Sequence, residues 1–208
     1  MGGYITSTLL PRIQSGITSP KAARILFYPT LLWNIFTVAM SRKRRWYDRI
    51  DRNVVLGALP LRIISQSLIN KENIGGVVTL NEEYETRLLM FSNEKWKSLG
   101  IKHLHLPTPD FNNAPDFEKL MEGVQFIKQF DSLNISCYVH CKAGRGRSAT
   151  LVACYLMELY NITPDEAINI LKSKREQTLL GSKQVTAVKE FYEHHIQTSS
   201  RPRIPIQE

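Results

Sequence analysis

The stretch Val139-His140-Cys141-Lys142-Ala143-Gly144-Arg145-Gly146-Arg147-Ser148-Ala149-Thr150 reads as the end of a strand, a tight basic loop and the start of a helix. Upstream, Ile135-Ser136-Cys137-Tyr138-Val139 is β-branched and aromatic. Downstream, Leu151, Val152, Tyr155, Leu156 and Leu159 recur at the spacing of a buried helix. A loop so placed delivers backbone N–H groups to a helix N-terminus, where an anion is favoured. Gly144 and Gly146 let the backbone curl so that these N–H groups point inward. Lys142, Ala143, Gly144, Arg145, Gly146 and Ser148 are therefore candidate phosphate-binding positions. Five residues separate Cys141 from Arg147. Across the curl, Arg147 can lay its planar guanidinium against two phosphate oxygens. Cys141 sits beneath the same concavity. A helix N-terminus and nearby cations lower a thiol pKa from about 8.5 to roughly 3.5–7.5, which makes Cys141 a thiolate nucleophile aimed at phosphorus. The Ser148 hydroxyl is placed to help the sulfur leave afterwards.

His140-Cys141-x5-Arg147-Ser148 resembles the signature of the cysteine-dependent protein tyrosine phosphatase superfamily. A Walker A loop does not fit, because its terminal Gly-Lys-Ser/Thr is missing. The resemblance implies a general acid, an Asp on a mobile loop before the Cys, that protonates the leaving alkoxide. Asp110 lies in a proline-bounded loop after a predicted strand, 31 residues ahead of Cys141. Asp116 competes for the role but reads as the first turn of the next helix. As a carboxylate, the same Asp would activate the water that cleaves the cysteinyl-phosphate.

Length and charge narrow the partners. The 208 residues suit one domain, and the formal charge is +8. Residues 1–47 hold Arg12, Lys21, Arg24, Arg42, Lys43, Arg44 and Arg45 and no acid, so almost all of the excess charge lies there. The folded remainder is nearly neutral, which argues against a nucleic-acid partner. Cys137, Cys141 and Cys154 fit neither a zinc site nor a disulfide framework, so a reducing compartment is expected. Neither metal nor cofactor is implied, and a monomer is expected.

Residues 1–24 have the Ser/Thr-rich, basic, acid-free composition of a mitochondrial transit segment. Met1-Gly2-Gly3-Tyr4-Ile5-Thr6 also fits the loose myristoylation pattern. Ile25 to Met40 is the most apolar stretch, but its sixteen residues fall short of the ~20 of a spanning helix. Pro29 and Asn34 are expected to interrupt it. With the basic run that follows, it predicts an interfacial segment on an anionic membrane surface, the alternatives being a helix packed on the domain or a removed presequence. The expected divisions are 1–45 for targeting and membrane association, 46–197 for the catalytic domain and 198–208 for a disordered tail.

Within the domain, strands are expected at Val54 to Gly57, Ile74 to Leu80 and Lys102 to Leu106. Helices are expected at Leu61 to Ile69, Glu94 to Leu99, Asp116 to Phe130, after Thr163 and from Ser182 to His195. Asn81 to Arg87 reads as an acidic loop. Its Glu82, Glu83 and Glu85 are candidate partners of basic residues behind the phosphate loop, with Tyr84 lining the pocket. His103 and His105 share a strand face without a third ligand and read as structural. The alternation predicts an α/β fold: a short, mainly parallel central sheet flanked by helices.

Ala23 to Leu32, Trp46 to Asp51, Leu56 to Arg62, Asn81 to Arg87 and His140 to Thr150 together resemble the mitochondrial dual-specificity-type phosphatases that act on phosphatidylglycerophosphate. That resemblance implies Cys141 as nucleophile, Arg147 as phosphate clamp and Asp110 as acid, with His140 behind the loop. It also implies a phosphorylated phospholipid substrate on the matrix side of the inner mitochondrial membrane, in the cardiolipin pathway. Lys142 and Arg145 add two cations that suit a second anionic group. Two departures stand out. Gly146 replaces a Ser of the mammalian loop, which brings it nearer the phosphoinositide 3-phosphatases. Gly181-Ser182-Lys183-Gln184 replaces Arg-Pro-Gly-Gln, leaving Gln184 to position water. A phosphoprotein phosphatase, a phosphoinositide phosphatase and an inactive phosphate-binding adaptor are the competing readings.

Overall fold

In a computed structural model of the chain, residues 20–41, 43–111 and 113–198 are described. The Met1 to Thr6 pattern, most of the transit-type composition and the tail beyond Thr198 lie outside them. Strands β1 (Tyr47–Arg49), β2 (Val54–Gly57), β3 (Ile74–Thr79), β4 (Lys102–His105) and β5 (Ser136–His140) form one sheet in the order β1-β2-β5-β3-β4. β2, β5, β3 and β4 run parallel, and β1 alone is antiparallel.

Side chains alternate across the sheet with the period of two that a strand dictates. Val54, Leu56, Val78, Cys137 and Val139 enter one core, and Val55, Val77 and Tyr138 enter the other. Both faces are therefore covered, as parallel strands require. The first core lies under α5 (Phe117–Lys128), α6 (Arg147–Tyr160), α7 (Pro164–Lys174) and α8 (Ser182–Phe191), with a π-turn at Tyr192–Ile196. α6 is buried at all but one of its residues, so it is enclosed on every side and not along one stripe.

The second core lies under α1 (Pro20–Met40), α2 (Arg62–Glu72) and α4 (Asn93–Ser98). α1 is one unbroken helix of 21 residues, so Pro29 and Asn34 do not interrupt it. The Thr30 hydroxyl donates to the Leu26 carbonyl at 2.6 Å, a bond that supports the turn holding Pro29. Phe27 and Leu31 are 0% and 3% exposed in the second core, which pins the helix to the domain. Ile25, Leu32 and Met40 are 74%, 64% and 72% exposed, and Tyr28, Trp33 and Phe36 are also open. α1 thus carries an apolar stripe inward and another outward. No helix among the described residues is long and apolar enough to cross a membrane.

The acidic stretch differs from its reading as a loop: Glu83–Thr86 is a short helix, α3. Four residues are too few to show a helical period.

Candidate active site

β5 is the central strand, and Cys141 to Gly146 leave its carboxyl end and turn into α6. That is where parallel α/β sheets bind ligands. Gly144 has φ +63°, and a Cβ there would meet the Gly57 carbonyl oxygen at 2.2 Å, so the curl closes only with glycine. Gly146 lies against the Gln184 amide, which a Cβ would approach to 2.8 Å.

Cys141 is buried beneath the curl, and Ser148 Oγ donates to its sulfur at 3.2 Å. Burial alone would raise the thiol pKa. The Arg147 charge, the Ser148 hydroxyl and the N–H groups of Ser148 and Arg145 outweigh burial and lower it. Cys137 and Cys154 have no such support, and burial raises both. They are inert core thiols.

Arg147 is held on several sides. Its terminal nitrogens donate to Glu85 Oε2 at 2.8 Å, to Glu85 Oε1 at 3.2 Å and to the Thr108 carbonyl at 2.8 Å. Nε is buried and has no acceptor among the described residues, which leaves it a donor for a phosphate oxygen. Glu85 also accepts from the Asn81 amide at 3.0 Å and the Glu82 N–H at 2.8 Å. Of the acidic stretch, only Glu85 serves a basic residue. Glu83 is exposed, Glu82 precedes α3, and neither enters an ion pair among the described residues. Tyr84 packs edge-on to Phe27, with the Arg24 guanidinium 5.1 Å from its ring centre.

Asp110 Oδ1 lies 3.1 Å from Arg147, and Oδ2 pairs with Lys142. Burial would raise this carboxyl, but the Arg147 and Lys142 charges hold it below its usual range. Asp116 caps α5, accepting from the Lys119 N–H at 2.9 Å, away from these groups. The next residue after Asp110, Phe111, has φ +60°, a strained conformation for a bulky side chain beside the acid. Asn113 fastens the turn by donating to the Asp110 carbonyl at 2.9 Å, and its own carbonyl accepts from Gln184 at 2.9 Å. Gln184 therefore joins the acid loop to the phosphate loop. Both ends of its amide are engaged, since Oε1 accepts from the Gly181 N–H at 2.9 Å.

The two extra cations are committed differently from the expectation of open phosphate contacts. Lys142 faces Asp110, and Arg145 Nε donates to the Gln177 carbonyl at 2.9 Å. His140 is fully buried, and its Nε2 is 2.8 Å from Thr79 Oγ1, which also meets His103 Nε2 at 2.9 Å. Burial keeps both rings neutral, with His103 lowered to about 4. Through Thr79, His103 thus supports the strand end that carries Cys141.

Sequence reasoning missed Arg175. It is fully buried and donates to the carbonyls of Gly144 at 2.7 Å and Ala143 at 3.1 Å, and to Asp48 Oδ2 at 2.6 Å. N–H groups that face a phosphate turn their carbonyls outward, and Arg175 satisfies two of them. In the sequence it ends a Lys-Ser-Lys-Arg run that looks like a solvated face. The Trp46-Tyr47-Asp48 stretch was the only local signal, since it carries the carboxylate.

The dual specificity phosphatase catalytic domain description matches residues 62–194, well over half of the chain. The chain belongs to the dual-specificity phosphatase family. The phosphatase is 46% identical over 172 residues to the human "phosphatidylglycerophosphatase and protein-tyrosine phosphatase 1", covering 82% of this chain and 86% of that one. It is 42% identical to the Arabidopsis thaliana "phosphatidylglycerophosphate phosphatase PTPMT1" over 82% of this chain and 49% of that one. A crystal structure of PTPMT1 in complex with PI(5)P superposes with a TM-score of 0.71 at 43% identity, over 74% of this chain and 98% of that one.

The arrangement suits a phosphoryl transfer in which the Cys141 thiolate would attack phosphorus, the P–O ester bond would break and the proton of Asp110 would go to the leaving oxygen. A phosphate dianion bound beside the Asp110 carboxyl would raise its pKa by like-charge repulsion and so favour the protonated acid. With the alcohol gone, Asp110 as a carboxylate would be placed to take a proton from water. That water would attack phosphorus, and the Ser148 hydroxyl, which already donates to the sulfur, would stabilise the departing thiolate.

Proposed function

We propose that the phosphatase hydrolyses the phosphomonoester of phosphatidylglycerophosphate, releasing phosphatidylglycerol and inorganic phosphate. Its place is a mitochondrion, on the matrix side of the inner membrane, where the product feeds cardiolipin synthesis. The observation that carries this reading is the two-sided α1. Its inner stripe is part of the domain core, its outer stripe is apolar, and Thr30 on its flank touches the phosphate loop. A bilayer against the outer stripe brings lipid headgroups to the side of the protein where Cys141 lies. Lys43, Arg44 and Arg45 follow α1 and favour an anionic surface, at about 1 kcal/mol per basic residue. The printed names of the human and Arabidopsis relatives support the same substrate. A monomer bound to the membrane surface suffices, because every catalytic group comes from one chain.

A second reading has its own support. The human relative's name includes protein-tyrosine phosphatase, and the PTPMT1 crystal holds a phosphoinositide. Catalytic efficiencies on phosphatidylglycerophosphate, phosphoinositides and phosphotyrosine peptides in the same mixed micelles decide between them. Phosphatidylglycerophosphate should lead by at least about tenfold, a margin of roughly 1.4 kcal/mol. A lead for phosphopeptides would replace the lipid reading. Changing Leu32 and Phe36 to Ser should lower hydrolysis in anionic vesicles and spare a soluble aryl phosphate.

A further inference from the structure

Lys142 follows the nucleophile directly, yet its ammonium is buried in a cage of four groups. It pairs with Asp110, donates to the Thr30 hydroxyl at 2.9 Å, and lies 4.6 and 5.9 Å from the ring centres of Phe111 and Phe27. Two of the four, Phe27 and Thr30, come from α1, and Thr30 stands 112 positions from Lys142 in sequence. Phe27 is immobilised in the second core. The Thr30 hydroxyl is oriented as well. Its proton faces the Leu26 carbonyl at 2.6 Å and the Phe27 carbonyl at 3.1 Å, so a lone pair is left to accept from Lys142.

We propose that Thr30 is a positioning residue for the reaction: it fixes the Lys142 ammonium beside Asp110, so that α1 helps decide when Asp110 is acid and when it is base. The groups facing Asp110 are Arg147 from the start of α6, Lys142 from the phosphate loop and the Tyr84 hydroxyl from α3. Glu85 reaches Asp110 only through the Arg147 they share. Arg147 is fixed by Glu85 and the Thr108 carbonyl, whereas Lys142 is a flexible chain whose ammonium Thr30 restrains. An ammonium held close favours the carboxylate, and one released lets Asp110 keep its proton to higher pH. α1 lies outside residues 62–194, so this role falls beyond the region that defines the family.

The inference rests on the phosphatase chemistry and not on the lipid substrate, so its test uses soluble esters and the full chain. Thr30→Val removes the acceptor at nearly constant volume, and Thr30→Ser keeps it. With an aryl phosphate, whose oxide leaves unaided and whose turnover depends on Asp110 as base, Thr30→Val should lower kcat by up to about tenfold, the scale of a hydrogen bond to a charged group. An alkyl phosphate, whose departure uses the protonated acid, should lose less. The alkaline limb of kcat should move to higher pH by less than roughly one unit, in the direction that Lys142→Met moves it further. Thr30→Ser should restore both. A Thr30→Val protein with the wild-type profile overturns the proposal. So does equal loss on both esters with an unmoved alkaline limb, or a Thr30→Ser as impaired as Thr30→Val. If Thr30→Val folds poorly, Lys142→Met decides alone, and an unmoved limb there also overturns it. A failed lipid panel would leave these curves as they are.

Discussion

Glu85 grips Arg147 with both carboxylate oxygens, at 2.8 and 3.2 Å, and both side chains are buried. Truncating one member of such a pair strands a charge. Glu85→Ala should destabilise the fold by about 3–5 kcal/mol, towards the lower end because Asp110 still faces Arg147. Urea unfolding measures this, and an unchanged midpoint would contradict the pairing. Glu85→Gln should keep the shape, unfold less readily than the Ala variant and lose phosphate affinity as Arg147 loosens.

The Arg147 charge and the Ser148 hydroxyl favour the Cys141 thiolate, so kcat/KM should rise with pH through a midpoint below the ordinary thiol value. Ser148→Ala removes one donor to the sulfur. The thiol pKa then rises, and the acid limb of kcat/KM should move to higher pH by about one unit or less. A limb that moves to lower pH would reverse the assignment. Cys141→Ser should lower turnover by at least about 10³-fold while inorganic phosphate still binds, because the N–H groups and Arg147 remain.

Asp110→Asn should lower turnover by ~10²–10⁴, the range for a positioned acid. The loss should be larger for alkyl than for activated aryl phosphates. Asp116→Asn should cost only a helix cap, about 0.5–2 kcal/mol of stability, with no dependence on the leaving group. The same leaving-group dependence in Asp116→Asn would exchange the two roles.

Arg175→Ala should leave the Ala143 and Gly144 carbonyls without a donor and Asp48 without its buried partner. Stability should fall by about 3–5 kcal/mol, and phosphate affinity should fall with the slackened loop. Arg175→Lys keeps the charge but not the planar fork that spans the two carbonyls and Asp48, so it should recover stability only in part. Thermal unfolding together with phosphate titration measures both effects.

The sequence shows a residue best when chemistry and local spacing coincide. Cys141, the glycines and Arg147 fall within a few positions of one another, so their geometry is nearly forced. The four parallel strands were legible because β-branched runs alternate with amphipathic segments, and the sheet was found mainly parallel as read; β1, three residues of Tyr-Asp-Arg, carries no such run and was not foreseen. Glu82, Glu83 and Glu85 were read together as partners of basic residues, since an acidic patch beside a phosphate would otherwise repel it; all three carry the same charge, and only the turn of α3 separates Glu85 from the other two. Arg175 and Thr30 reach the loop through the tertiary fold alone, and nothing in a Lys-Ser-Lys-Arg run or a Pro-Thr pair marks it. The extent of α1 was hidden because both its stripes are apolar. A sequence window averages them into one hydrophobic block and cannot say which stripe meets the domain.

For sequence drift, the helix Pro20–Met40 is under two kinds of constraint at once. A segment that served only as an address would tolerate almost any change that kept its charge and hydropathy. Phe27, Thr30 and Leu31 face the domain or the phosphate loop, so their shapes and lone pairs matter. Ile25, Leu32, Phe36 and Met40 face outward, where one apolar side chain can replace another at little cost. Substitutions among relatives should therefore alternate along this helix between positions frozen in identity and positions held only in character, with the period of a helical turn.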